Sequence, residues 1–230
     1  MSSRVPVVAI DGPSGVGKGT VARALARKLN WHFLDSGALY RILALAAQSG
    51  GIPLEQASRV AALAPGLDIR FDVGNGEQET IRINGQDLTA SVRAETTGRL
   101  ASVIAVFSEV RAALLMRQRA FRTAPGLVAD GRDMGTVVFP DATVKIFLDA
   151  SAEERARRRH AQLRAAGIEA RMRALCEEIR ERDVRDRSRS HSPLKPAEDA
   201  IVIDTTELSA AAVLLRIEEI VKARGCATQP

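Results

Sequence analysis

An α/β domain built on a parallel sheet is the fold this 230-residue chain predicts, and three observations lead there. Short apolar runs recur between stretches of helical spacing, several of them end at an aspartate, and the first leads directly into a glycine-rich loop. The runs lie at 5–10, 32–34, 127–129, 143–148 and 200–203, with Asp130, Asp149 and Asp204 closing three of them. Strands alternating with helices imply a parallel sheet whose ligands bind at the carboxyl ends of the strands. Helices are expected over 19–29, 37–48, 92–105, 108–122, 151–166, 169–188 and 208–223. Ser151 with Glu154 has the capping-box form that opens the fifth of these.

One segment breaks the rhythm. Residues 67–73 alternate apolar and polar with period two, Gly74-Asn75-Gly76 follows, and 80–83 alternate again before Asn84-Gly85. That pattern predicts a meander of two or three antiparallel strands over 66–90. Alone it buries too little to be stable, so it is expected to lean on the main domain as an inserted lobe.

Composition sets further bounds. Hydrophobic residues make up 46% of the chain and aromatics only 3%, so the core is expected to be aliphatic and alanine-rich. No apolar run is long enough to span a bilayer, and residues 1–4 lead into the first strand without a signal peptide. Cys176 and Cys226 lack metal-ligand spacing, which makes a reduced, cytoplasmic protein the default. The net charge of +5 invites a nucleic-acid reading. Its arginines, however, concentrate in 155–189, interleaved with acids and without aromatics for base stacking, so nucleic acid is disfavoured. Small polyphosphate substrates account for the charge equally well, and a monomer is expected. His32, His160 and His191 share no ligand spacing, and the absence of a nucleophilic triad argues against a hydrolase.

The loop carries the chemistry. Gly12-Pro13-Ser14-Gly15-Val16-Gly17-Lys18-Gly19-Thr20 stands between the first strand and a helix, and it fits the phosphate-binding pattern G-x-x-x-x-G-K through Lys18. Glycines let backbone N–H groups turn toward a phosphate chain, and the helix N-terminus adds its dipole. Lys18 places a cation on the terminal phosphates, so a nucleoside triphosphate such as ATP is the expected ligand. Gly19 departs from the standard pattern, which has Ser or Thr there to ligate magnesium. The departure implies that Mg2+ is held by phosphates and water, with carboxylates such as Asp35 or Asp130 acting through water.

Further motifs accompany the loop. Leu34-Asp35-Ser36-Gly37 with Tyr40-Arg41, then Asp130-Gly131-Arg132-Asp133-Met134-Gly135-Thr136, then Glu181-Arg182-Asp183 through Arg189 resemble the bacterial cytidylate kinases from Val5 to about Ile220. The G-K-G-T form of the loop is also similar to that of nucleoside monophosphate kinases. The resemblance implies a P-loop kinase: a five-stranded parallel sheet flanked by helices, an antiparallel β-lobe and a helical lid. It implies one kinase domain over 1–230, with a monophosphate-binding lobe at about 36–105, the β insertion at 66–90 and a lid at about 151–170. The implied reaction moves the terminal phosphate of ATP to CMP or dCMP. A kinase of another monophosphate or metabolite would share the loop, as would a nucleotide-binding regulator with no acceptor.

By the same resemblance, Ser36, Arg41, Arg132 and Arg189 grip the acceptor's phosphate, with Tyr40 beside them. Asp133, Ser102 and Arg111 read the base; Arg182 and Asp186, on the continuation of a buried helix stripe, are expected at the ribose hydroxyls, or form solvated pairs if the helix outruns the core. Lys18, Arg132, Arg158 and Asp130 are the residues expected at the transferring phosphoryl group. On their own, Arg41, Ser102 and Arg111 fit ordinary helix faces as well. Arg155, Arg158 and Arg159 fall on one face of a helix that would swing over the site and exclude water. Met172, Leu175, Cys176 and Ile179 mark a buried stripe whose continuation reaches Arg182, Asp186 and Arg189.

Overall fold

A computed structural model of the protein describes residues 4–73, 79–165 and 167–225. The expected Gly74-Asn75-Gly76 turn, Cys226 and the tail from residue 226 lie outside the described residues. Contacts divide the chain into two compact units, one of Met1–Asp35 with Arg119–Pro230 and one of Ser36–Gln118.

The first unit holds a five-stranded parallel sheet. Its strands are β1 (Val7–Asp11), β2 (His32–Asp35), β6 (Leu127–Gly131), β7 (Val144–Asp149) and β8 (Ile201–Asp204), in the spatial order β2-β6-β1-β7-β8. Every residue of β1 and β6 is buried, as central strands of a covered parallel sheet must be. Helices α1 (Lys18–Leu29) and α9 (Ala210–Ala223) pack on one another, and their Val21, Leu25, Val213 and Ile217 join Val8, Ile10, Val128 and Ile146 in one core. The core is aliphatic, as the composition predicts.

Local signals explain where α1 starts and stops. Gly17 takes φ +98° just before it, and Asn30 closes it in the left-handed conformation with its N–H on Ala26 O and Arg27 O. The unit also contains α7 (Ala152–Ala165) and α8 (Met172–Arg187), which pack against each other. The Ser151 hydroxyl accepts from Glu154 N at 3.2 Å, half of the expected capping box. The segment expected as a lid, about 151–170, lies within the residues of this unit. Met172 is exposed, so the buried stripe of α8 begins at Leu175.

The second unit begins at Ser36, where the monophosphate lobe was expected, and extends past residue 105 to Gln118. It contains α2 (Ser36–Ser49), α3 (Ala57–Leu63), a three-stranded antiparallel sheet of β3 (Ile69–Val73), β4 (Glu79–Ile83) and β5 (Gln86–Asp87), α4 (Thr89–Arg93), α5 (Glu95–Ile104) and most of α6 (Ser108–Ala120). The sheet is the predicted meander, in the order β3-β4-β5. Asn84 (φ 50°) and Gly85 (φ 82°) supply the left-handed pair that a two-residue hairpin needs between β4 and β5. The helix expected over 92–105 is two helices, because Ala94 adopts an extended conformation (φ −60°, ψ 145°) between them.

Candidate active site

The glycine loop joins β1 to α1. Gly12 has φ +148°, and a Cβ there would stand 2.1 Å from the carbonyl oxygen of Leu148, so no side chain fits. Gly15 and Gly17 also have positive φ. The Lys18 ammonium donates to Pro13 O at 2.7 Å, and Lys18 is buried at 5% exposure. Burial, with Arg132 nearby, holds its pKa well below the usual lysine range, while Asp130 and Asp11 oppose that fall.

Two carboxylates end adjacent strands. Asp35 of β2 and Asp130 of β6 are register partners. Burial raises the Asp130 pKa, Lys18 counters it, and the like charge of Asp35 raises it further. A cation bridged through water would relieve that repulsion, so the pair suits a magnesium ion carried by phosphates. Among the described residues no group of three or more His, Cys, Asp or Glu is arranged to hold a metal directly. Gly19 belongs to the same corner: a Cβ on it would lie 3.2 Å from Asp130 Oδ2 and 3.4 Å from Arg23 Nη2. The missing hydroxyl at this position therefore leaves space for a carboxylate.

After β6 the chain passes through Arg132 and Asp133 into a π-helical turn, Met134–Val138. Asp133 is buried. Arg132 Nε donates to Asp186 Oδ2 at 3.0 Å, and Arg189 donates to Asp186 Oδ1. Asp186 is 1% exposed. Burial alone would raise its pKa, but Arg132, Arg189 and Arg182 together hold it below the usual carboxylate range. Arg182 also lies within electrostatic reach of Lys18. The continuation of the α8 stripe is thus a paired ionic cluster beside the phosphate loop.

In the second unit, Ser36 is buried and its hydroxyl accepts from Gln118 Nε2 at 2.8 Å. Arg41 Nη1 donates to Val92 O and Ala94 O, each at 3.0 Å, at the junction of α4 and α5. Gly98 of α5 makes room for this guanidinium, since a Cβ there would come within 2.8 Å of Arg41 Nη2. Ser102 sits one helical turn beyond Gly98, on the same face, and is buried. The Arg111 guanidinium stacks over the Tyr40 ring at 5.8 Å. Arg41 thus meets the α5 face that carries Ser102, and Tyr40 meets Arg111.

In this structure two of the three arginines on that helix face are bound to the chain itself. Arg155 is 2% exposed and forked onto Asp183, while Arg158 donates to Val16 O at 3.2 Å and to Thr205 O. Within α7, Arg158 Nε also donates to Glu154 Oε1 at 3.0 Å, and Arg159 Nη1 donates to Gln162 Oε1 at 3.3 Å. Backbone carbonyls of the glycine loop and of β8's end claim Arg155 and Arg158, and sequence periodicity cannot register such acceptors.

One residue that the motifs left without a role is Asp11, at the end of β1. Its Oδ1 accepts from Met134 N and its Oδ2 from Gly135 N, both at 2.8 Å, so one carboxylate caps the turn after Asp133. The available signal was an acid closing a wholly apolar strand. Burial pushes its pKa up to about 7, against the pull of those two N–H groups and of Lys18. A raised carboxyl pKa gives stability that is full below the ordinary value and is lost as pH rises toward 7. Asp11→Asn is therefore expected to flatten the fall in Tm between pH 5 and 7.5, measured by scanning fluorimetry. A slope identical to wild type would assign that titration elsewhere.

A glycine loop at the end of the central strand of a parallel sheet, with a buried lysine and a carboxylate on the adjoining strand, defines a P-loop nucleotide-binding protein. The family model described as Cytidylate kinase matches residues 8–223. The chain is 59% identical over 218 residues to the cytidylate kinase of Stutzerimonas stutzeri strain A1501, covering 94% of this chain and 95% of that protein. It is 56% identical over 217 residues to that of Aeromonas hydrophila, covering 94% of each. It is 58% identical over 215 residues to that of Pseudomonas aeruginosa strain PAO1, covering 93% of this chain and 94% of that protein. The chain belongs to the cytidylate kinase family.

Proposed function

We propose that the protein transfers the terminal phosphoryl group of ATP to the 5′-phosphate of CMP or dCMP, releasing ADP and CDP or dCDP. Family membership supports the reaction, and the cluster joining Lys18, Arg132 and Asp186 carries the assignment of the site. In the transfer, an oxygen of the CMP phosphate forms a bond to the γ-phosphorus while the bond to the ADP oxygen breaks. ADP leaves with that electron pair. The acceptor is already an anion, so the protein must supply positioning and neutralisation. Lys18 and the amides of Gly12 to Thr20 hold the donor, and Arg132 lies between donor and acceptor phosphates.

Ser36, Arg41, Arg132 and Arg189, with Tyr40 alongside, bind the acceptor phosphate in this reading. Arginine suits the task because its planar fork meets phosphate oxygens two at a time. Asp133 accepts from the cytosine amine, Ser102 and Arg111 donate to the ring acceptors, and Arg182 with Asp186 binds the ribose hydroxyls. Mg2+ would be held by the ATP phosphates and, through water, by Asp35 or Asp130, and it supplies further charge neutralisation when bound. The enzyme is read as a cytoplasmic monomer that does not engage nucleic acid; among the described residues no helix is long and apolar enough to cross a membrane.

Steady-state rates with CMP, dCMP, UMP, AMP and no acceptor test the reading. Cytidine monophosphates are expected to lead, and ATP hydrolysis without acceptor should be slow. Equal rates with AMP, or rapid turnover without acceptor, would replace it with another kinase or an ATPase. Uracil presents a carbonyl where cytosine has its amine, which would set Asp133 against an acceptor. Asp133→Ala is accordingly expected to lower the CMP-over-UMP ratio of kcat/KM by roughly tenfold or more. An unchanged ratio would move base reading to another residue.

A further inference from the structure

Amides of a phosphate loop converge on a ligand only if the carbonyls of the same peptides face away, and each outward carbonyl needs a donor. Ser14 O has Arg155 Nη1 at 3.1 Å, and Val16 O has Arg158 Nη1 at 3.2 Å. The peptide that offers Ser14 O to Arg155 offers the N–H of Gly15 on its other side. That of Val16 likewise offers the N–H of Gly17. Arg155 and Arg158 are thus seated behind the loop, at spacing i, i+3 on α7.

Arg155 also reaches further. Its Nε donates to Ala150 O at 3.0 Å, and its two terminal nitrogens fork onto Asp183 of α8, with Nη1 to Oδ1 at 2.9 Å. Its stem backs Gly15, where a Cβ would touch Arg155 Cβ at 3.4 Å. Asp183 stands between Arg182 and Asp186 in α8. A continuous line of hydrogen bonds therefore runs from the Gly15 amide through the Ser14 carbonyl and Arg155 to the helix assigned to the acceptor. Hydrogen bonds in such a line polarise one another, and a phosphate on the Gly15 N–H would strengthen the Ser14 carbonyl as an acceptor.

We propose that Arg155 and Asp183 are positioning residues that couple the two substrates: ATP phosphates on the glycine loop set α8 through this pair and raise the affinity for CMP, and CMP does the same for ATP. The assignment of α8 to the acceptor rests on the function proposed above. Coupling of this kind is reciprocal by thermodynamic necessity. Arg158 supports the Val16 peptide from the same helix and contributes through the loop.

Calorimetric dissociation constants for CMP, with and without AMP-PNP and magnesium, test this on the full chain. The variants are Arg155→Lys, Asp183→Asn and the double substitution Arg155→Met with Asp183→Leu, which replaces a buried ion pair by apolar groups of similar size. Wild type is expected to bind CMP at least about fivefold more tightly when AMP-PNP is present. In each variant that ratio should fall to about one, and the ratio for AMP-PNP with and without CMP should fall with it. A pair with only a structural role would lower stability and leave the ratio intact, and that result overturns the proposal. So does a wild-type enzyme that binds CMP equally well in both conditions. A wild type that phosphorylates AMP and ignores CMP would instead overturn the substrate assignment, and the same ratio would then be measured with AMP. Hydrogen exchange in the wild type decides the matter if the variants do not fold. AMP-PNP alone should slow exchange across 175–187, and no change there defeats the coupling.

Discussion

Lys18→Ala is expected to lower kcat by at least roughly 10²- to 10³-fold, the usual loss when a preorganised charge at a phosphoryl or oxyanion site is removed. Lys18 is 5% exposed and its ammonium is bonded to Pro13 O, with Asp130 and Asp11 close enough to shift its pKa. Its removal leaves one carbonyl without that donor, a cost of about 1–3 kcal/mol. Relief from burying an ammonium offsets part of that cost. Tm should consequently move by only a few degrees while turnover collapses, and circular dichroism should be unchanged. Near-normal turnover in a coupled assay would remove the loop from the chemistry.

Asp186→Ala should be costly in two ways. The carboxylate is 1% exposed and receives Arg132 and Arg189, so its loss leaves two guanidinium groups facing each other without their counter-ion. Breaking a buried pair in this way typically costs about 3–5 kcal/mol. The KM for CMP should rise on the order of 10²-fold, because Arg132 and Arg189 lose the group that aims them and the ribose loses an acceptor. ATP, held by the glycine loop, should keep a KM within about threefold of wild type. The penalty should be larger for CMP than for dCMP if the carboxylate accepts from the 2′-hydroxyl. Normal CMP kinetics in Asp186→Ala would return this cluster to a purely structural role.

Patterns with a fixed period were legible from residues alone. The five parallel strands appeared as apolar runs, and the β-lobe as period-two alternation closed by Asn84-Gly85. The glycine loop was legible because phosphate binding constrains the backbone and one lysine together. Helix α3 was missed: it spans Ala57–Leu63, only Val60 is buried, and the side chain of its N-cap Gln56 caps no backbone N–H. The break at Ala94 was invisible for a related reason, since alanine favours helix and only the surrounding chain imposes the extended conformation.

At the site, charge was easier to find than its partner. The stripe through Arg182, Asp186 and Arg189 marked ionic groups on the continuation of a core face, and those groups are paired as burial requires. Arg155 and Arg158 were legible as one helix face, yet beside the carboxylates of Asp183 and Glu154 their acceptors are carbonyls of Ser14, Val16, Ala150 and Thr205. Every residue carries a carbonyl, so no sequence pattern distinguishes those four. Asp11 escaped similarly, because its partners are backbone N–H groups more than a hundred residues away.

Gly19 bears on the order of events in each catalytic cycle. With Asp130 Oδ2 3.2 Å from where its Cβ would be, a side chain at this position would press on the carboxylate, and the hydroxyl that elsewhere anchors the divalent ion is absent from it. On the proposed reaction Mg2+ would be held by the nucleotide's phosphates and, through water, by Asp35 or Asp130, so that its exchange would follow that of the nucleotide. Free magnesium would act on the enzyme through the chelation equilibrium of its substrate in solution, and the resting chain would carry no metal from one turnover to the next.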